Sequence, residues 1–184
     1  LLMFGASLLV FPIIGFKLFP TSEKPQFLIN INMPLQSNIA STFNMVQRVE
    51  SELAKEPLIQ YYTSNTGKGN PRIYYNEIQS NEKSDYAQFF VQLQEDVKPD
   101  VKRDLIEKLR SRFLQMEGAR IEVKDFEQGP PVEAPVALRI TGNNLDTLRT
   151  LAAQTKNLLE TIPGTIYVRN DIDLLKSDIR IRIN

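Results

Sequence analysis

Apolar residues along this chain recur at two spacings that take turns, every second position and then every third or fourth, and each change of spacing marks a change of element. Phe27, Ile29 and Ile31 alternate with Leu28, Asn30 and Asn32, predicting a strand that ends at Met33-Pro34. Ser37 or Asn38 then caps a helix in which Ile39, Phe43, Val46, Val49 and Leu53 share a face, and Pro57 stops it. Residues 58–63 predict a second strand, and SNTGKGNP after it is a loop by its turn residues. Residues 72–78 read as an irregular strand and residues 88–93 as a clear one, with Phe89, Val91 and Leu93 on one side. Pro99 suits a first helical turn, and Val101, Leu105, Leu109 and Phe113 form the next apolar face. Ala119, Ile121 and Val123 alternate with Arg120, Glu122 and Lys124 in a fourth strand.

Residues 27–124 thus spell strand, helix, strand, strand, helix, strand, the split βαβ order of a ferredoxin-like sandwich. The grammar starts again after a Pro-rich joint at Gly129-Pro130-Pro131. Val136, Leu138 and Ile140 alternate, Leu145, Leu148, Ala152, Thr155, Leu159 and Ile162 follow at helical steps, Pro163-Gly164 ends the helix, and Ile166 and Val168 restart the alternation. Ile179, Ile181 and Ile183 predict one more strand. The fold class expected is α+β: tandem ferredoxin-like α/β sandwiches, the first complete over residues 20–128, the second present over residues 129–170 as its first half, with residues 171–184 a strand leading onward. A strand-helix-strand cannot bury both faces of its sheet, so the second unit needs partners outside this sequence.

Residues 1–16 carry no charge and Lys17 closes the run. As a helix they would reach about 24 Å, short of a hydrocarbon core of roughly 30 Å. The expectation is that residues 1–19 are the end of a transmembrane helix, with Pro20 closing it. A signal peptide lacks support, since no basic stretch precedes the run and no small-x-small site follows Phe16.

Composition narrows function mainly by exclusion. Across 184 residues, 42% of them hydrophobic, lysine plus arginine equals aspartate plus glutamate at 22 each, so no long-range field draws in nucleic acid. Histidine and cysteine are absent, which removes the usual general base, the usual metal ligands and the thiol nucleophile. The chain is expected not to be an enzyme and to need no cofactor. Lys68 lies between two glycines, but its neighbours do not meet the Walker A pattern. Glu122, Asp125, Glu127 and Glu133 around the joint read as solvated charge, Met45 and Met116 as core filler, and Arg139, Arg180 and Arg182 as exposed or contact residues. An acylphosphatase-like enzyme would need an arginine-bearing loop after the first strand, which Met33 to Ser37 lacks.

A membrane helix leading into tandem split βαβ units resembles the periplasmic porter region of resistance-nodulation-division efflux transporters. The residues carrying the likeness are FPTSEKPQF after the span, MPLQSN at residues 33–38, NTGKGNPRIYYN at residues 65–76, AQFFVQL at residues 87–93, and GPPVEAPVALRITGNNLDTLRTLA. The likeness is greatest to the second periplasmic region of the hydrophobe and amphiphile exporters. It implies a proton-driven multidrug pump, a homotrimer in the Gram-negative inner membrane with residues from about 20 onward in the periplasm. It further implies an adaptor protein, an outer-membrane channel, and hydrophobic or amphiphilic small molecules as substrates. Residues 171–184 would lead into a docking insertion missing here.

The family has a mobile glycine-rich loop in its substrate path. The matching residues are Asn65, Gly67, Lys68, Gly69 and Asn70, with Arg72, Tyr74 and Tyr75 beside them; no phenylalanine lies inside this loop. Pro130, Pro131 and Pro135 are the expected hinge between rigid subdomains. Metal export by a methionine relay through Met33, Met45 and Met116 is disfavoured. A membrane-anchored ferredoxin-like sensor is the alternative from another class.

Overall fold

The structure, a computed structural model, describes residues 21–72, 74–75, 77–130, 134, 136–170 and 172. The expected membrane span at residues 1–19 and the last strand at residues 178–184 lie outside the described residues, as do Pro131, Glu133, Pro135, Arg180 and Arg182. Among the described residues no helix is long and apolar enough to cross a membrane.

The first unit has the expected order: β1 (Gln26–Asn32), α1 (Ile39–Leu53), β2 (Ile59–Thr66), β3 (Tyr86–Leu93), α2 (Pro99–Phe113) and β4 (Arg120–Asp125). The strands form one antiparallel sheet in the order β2-β3-β1-β4, the arrangement that two crossovers of one hand around a central β1-β3 pair require. Asn38 caps α1, its side-chain oxygen accepting from the Ser41 N–H at 2.8 Å. Pro99 opens α2, whose first turn holds Asp100 and whose last turn holds Arg110 and Arg112, charges placed to suit the helix dipole.

Phe27, Ile29 and Ile31 of β1 pair with Val91, Phe89 and Ala87 of β3, and Ile29 and Ile31 with Val123 and Ile121 of β4, so across these three strands one sheet face is apolar and carries both helices. The helix faces are rotated from the expected ones. In α1 the buried residues are Thr42, Met45, Val46, Val49 and Leu53, while Ile39 and Phe43 are half exposed. Thr42 wins the inward place because its hydroxyl donates to the Ser84 carbonyl at 2.6 Å, tying the helix to the turn before β3. In α2 Val101 faces outward, and Lys102 is buried beside Leu105, Ile106, Leu109 and Phe113.

Lys102 is the largest departure from the hydrophobic pattern, only 2% exposed. An isolated ammonium there would be prohibitive. Its three donors all find acceptors: Asp125 Oδ1 at 2.9 Å, the Lys24 carbonyl at 3.0 Å, and the Ser22 carbonyl. Thr21 also bridges Glu127, and the Ser22 N–H donates to the Phe126 carbonyl at 2.6 Å. The segment leading into the sandwich and the one leaving it are therefore fastened side by side by one buried cation.

The second unit contains α3 (Leu145–Glu160), capped by Asn144, whose side chain accepts from the Thr147 N–H at 2.9 Å. The strands expected at residues 136–141 and 165–170 do not form. A strand needs a neighbour to satisfy its backbone groups and no described segment supplies one, whereas a helix satisfies its own. None of the residues of α3 is buried, and Leu145, Leu151, Leu158 and Ile162 stand exposed. Arg139 is exposed, as expected.

Candidate functional site

The long connection between β2 and β3 lies across the second face of the sheet, opposite the helices. This explains why β1 does not alternate: Leu28 and Asn30 are as buried as their neighbours, because one set faces the helices and the other faces the connection. On this face Asn30 stands opposite Gln88 on one side and Glu122 on the other. Its side-chain oxygen accepts from Gln88 Nε2 at 2.9 Å and from the Tyr86 hydroxyl at 3.1 Å. Burial, with the Glu122 and Glu77 carboxylates nearby, pushes the Tyr86 hydroxyl far above its ordinary range, so it remains a donor.

The loop is tied into this layer. Asn65 falls within β2, which runs three residues past its expected end, and its Nδ2 donates to Asn70 Oδ1. Asn70 is buried and its own N–H donates to Gln88 Oε1 at 2.7 Å. Gly67, at a φ of 87°, donates its N–H to the Tyr86 carbonyl at 2.7 Å and accepts from the Lys83 N–H at 2.8 Å. Gly69 runs so close to Ser80 that an added Cβ would stand 2.7 Å from the Ser80 nitrogen. Lys68 between them is exposed.

The remaining predicted residues gather at the far end. Arg72 donates to the Tyr75 carbonyl, and the Tyr75 hydroxyl accepts from the Gly129 N–H at 2.6 Å, so the loop touches the start of the Pro130 joint. The Tyr74 ring packs on Tyr75 and Phe126, with centroids 5.1 and 4.8 Å away. Phe126 is buried and also meets Phe90. Of the irregular strand expected at residues 72–78, the described residues Arg72, Tyr74, Tyr75, Glu77 and Ile78 lie in turn and coil.

The space left under the loop, bordered by Leu28, Asn70, Glu77, Gln79 and Gln88, is about 10 Å³, room for a single water. Asn70 Nδ2 is buried without a protein partner, the kind of donor such a water satisfies. A larger groove of about 350 Å³ lies on the opposite side between α1 and α2, lined by Arg48, Ser51, Glu52 and Arg112. It is an open surface channel crossed by ion pairs, Arg112 reaching Glu56 at 2.9 Å and Glu52 at 3.4 Å, and has no part in the loop.

Glu122, expected to be solvated, is buried, and its charge is met by Arg120 at 3.0 Å and Lys124 at 3.5 Å. Asp125, also expected in solvent, is the partly buried partner of the buried Lys102. Glu77 is held above the ordinary carboxyl value of 4.5, first by burial and then by Glu127, with Lys124 pulling the other way. The folded protein therefore binds this proton more tightly than the unfolded chain, so the ionised group disfavours folding at neutral pH and the penalty disappears on acidification. Glu77→Gln is expected to be more stable than the parent at neutral pH, with the difference closing below 4.5. Urea unfolding at several pH values checks it, and a difference that stays constant with pH would count against the burial of Glu77.

Sequence reasoning missed Asn30, Gln88 and Lys102. Each carried a signal: a polar residue inside an apolar run, or a lysine on the same helical stripe as Leu105, Ile106 and Leu109.

The described residues of the first unit thus form a ferredoxin-like sandwich whose second sheet face carries a tethered glycine loop. The whole chain, residues 1–184, matches the AcrB/AcrD/AcrF family, and the chain belongs to that family. The family is one of efflux transporters, which supports the expectation that the chain is not an enzyme. Among solved structures it is similar to a heavy metal efflux pump in crystal form I, with a TM-score of 0.62, 15% identity, and coverage of 89% of this chain and 18% of that one. Crystal form II gives a TM-score of 0.60 at 14% identity, covering 87% of this chain. The chain thus spans 18% of the length of those pumps, and the likeness is one of fold. No curated protein matches it.

Proposed function

We propose that the chain is part of the porter domain of a proton-driven resistance-nodulation-division pump of the multidrug type, taking amphiphilic molecules from the periplasm and passing them on by tilting of its subdomains. The observation that carries this reading is the pairing of a closed sandwich with a second unit whose helix has no fully buried residue, joined at Gly129-Pro130. Such a piece suits a larger machine in which the missing strands come from elsewhere in the polypeptide. Residues 20–128 form the complete subdomain, residues 129–170 open the next, and residues 1–19 end the preceding membrane helix. Residues 171–184 lead toward a docking insertion.

Within it, Asn65, Gly67, Lys68, Gly69, Asn70, Arg72, Tyr74 and Tyr75 contact substrate, with the tyrosine rings offering apolar faces and polar ends. Pro130, Pro131 and Pro135 stiffen the joint. The pump works as a homotrimer in the inner membrane with an adaptor and an outer-membrane channel.

The similar solved structures are heavy metal pumps, so metal cargo is the competing reading. Against it, Met45 is packed in the core, Met33 and Met116 lie against that core, and no group of three acidic, histidine or cysteine residues could hold a metal among the described residues. The full-length transporter, expressed in a Gram-negative host stripped of its own pumps, is expected to raise tolerance to lipophilic dyes and detergents, and Tyr74→Ala with Tyr75→Ala to narrow that range. Tolerance gained only toward copper, silver or zinc would defeat the multidrug reading.

A further inference from the structure

The segment at residues 165–169 has the composition of a strand, yet Tyr167 sits at a φ of 56°, a left-handed conformation that bulky aromatic residues seldom adopt. Strain of this kind persists where surrounding contacts fix it. The contacts are specific. The Tyr167 hydroxyl accepts the Val123 N–H at 2.9 Å, and Arg110 Nε donates to the Val123 carbonyl at 2.9 Å. Arg110 also lies close enough to Tyr167 for its positive charge to act on the hydroxyl, so both residues serve the same stretch of strand.

β4 is the outer strand of the sheet. Its residues alternate between those bonded to β1 and those whose backbone groups point away, and both outward groups of Val123 are taken by side chains instead of a fifth strand. Unpaired edges of this kind recruit other strands.

We propose that Tyr167 is a clasp: its hydroxyl caps the free edge of β4 in place of a strand and holds the second unit against the first. Tyr167 is thereby a positioning residue. While it is engaged, Arg110 and Tyr167 together close the edge to strand addition. When the second unit swings away, the Val123 N–H is released and the tyrosine leaves its strained backbone state. The inference concerns the contact between the two units and stands whether the cargo is an amphiphile, a metal or neither.

The test uses the 184-residue chain. Tyr167→Phe keeps the ring and removes only the hydroxyl. Amide hydrogen exchange followed by NMR is expected to accelerate about tenfold at Val123, the loss of one hydrogen bond, with Phe89 in the sheet centre unchanged. Because the chain has no cysteine, spin labels at Ser51→Cys and Asn157→Cys report the separation of α1 and α3, and their distance distribution is expected to broaden in the phenylalanine variant. Unchanged exchange at Val123 overturns the proposal. So does equal acceleration at Phe89, which reports general destabilisation, and so does a distance distribution that stays as narrow as in the parent.

Discussion

Lys102→Met is expected to lower the free energy of unfolding by about 3 kcal/mol or more, the scale seen when one partner of a buried ion pair is removed. The methionine fits the same space among Leu105, Ile106 and Leu109, so packing is nearly preserved and the loss is electrostatic. The Asp125 side chain loses its cation, and the carbonyls of Ser22 and Lys24 lose their donor. Asp125 is 15% exposed and retains some water, which holds the effect toward the lower end of the range for such pairs. Urea unfolding gives the number from the shift of the midpoint at constant slope. A loss below about 1 kcal/mol would mean that the cation is solvated and the segments at Thr21 and Glu127 are held by other means. The same variant should free residues 21–24 from Phe126, which a local rise in amide exchange at Ser22 would report.

Gly69→Val is expected to dislodge the loop at a cost of about 1–3 kcal/mol, the range for overfilling a packed site. The added carbons meet the backbone nitrogen of Ser80, which cannot turn aside as a side chain would. The Gly69 N–H bond to the Ser80 carbonyl at 3.1 Å is lost with the displacement. Limited trypsin cleavage at Lys68, Arg72 and Lys83 should quicken, and Gln88 and Asn30 should become open to solvent. Gly67 provides the contrast. There the obstacle is Ile39 Cδ1, the free end of a half-exposed side chain, so Gly67→Ala is limited by its φ of 87° and not by space. Cleavage of the Gly69→Val protein at the parental rate would show that the loop does not rest on Ser80. In the complete transporter, the proposed role of this loop in substrate contact makes the same substitution costly to export.

The strand and helix order of residues 26–125 was legible because both helices and most strands keep an apolar face and a Pro or Gly separates each helix from the strand after it. Burial was less legible. The alternation read in β1 did not foretell that Leu28 and Asn30 are buried too, because a connection with few apolar residues covers them and no periodicity announces a cover made of coil. Ile39 and Phe43 looked like core by spacing, but Thr42 holds a carbonyl across the sandwich and turns the helix toward itself. The strands around α3 were misjudged for a different reason. Val136, Leu138, Ile140, Ile166 and Val168 have the right composition, and composition cannot supply the neighbouring chain whose backbone a strand requires. Of the loop residues, Asn65, Gly67, Gly69 and Asn70 do come together on the sheet, whereas Tyr74 and Tyr75 gather around Phe126 and Gly129, a grouping that linear proximity alone did not indicate.

The rung where Gln88, Asn30 and Glu122 stand abreast has a consequence for how the strands find one another. Sliding β1 by a single position would thrust an amide among Val46, Leu109 and Phe113 and present Phe27 to the loop instead. Those mismatches penalise every neighbouring alignment, so three polar side chains act as a registration mark during assembly. An uninterrupted valine and isoleucine ribbon would lack that safeguard against mispairing.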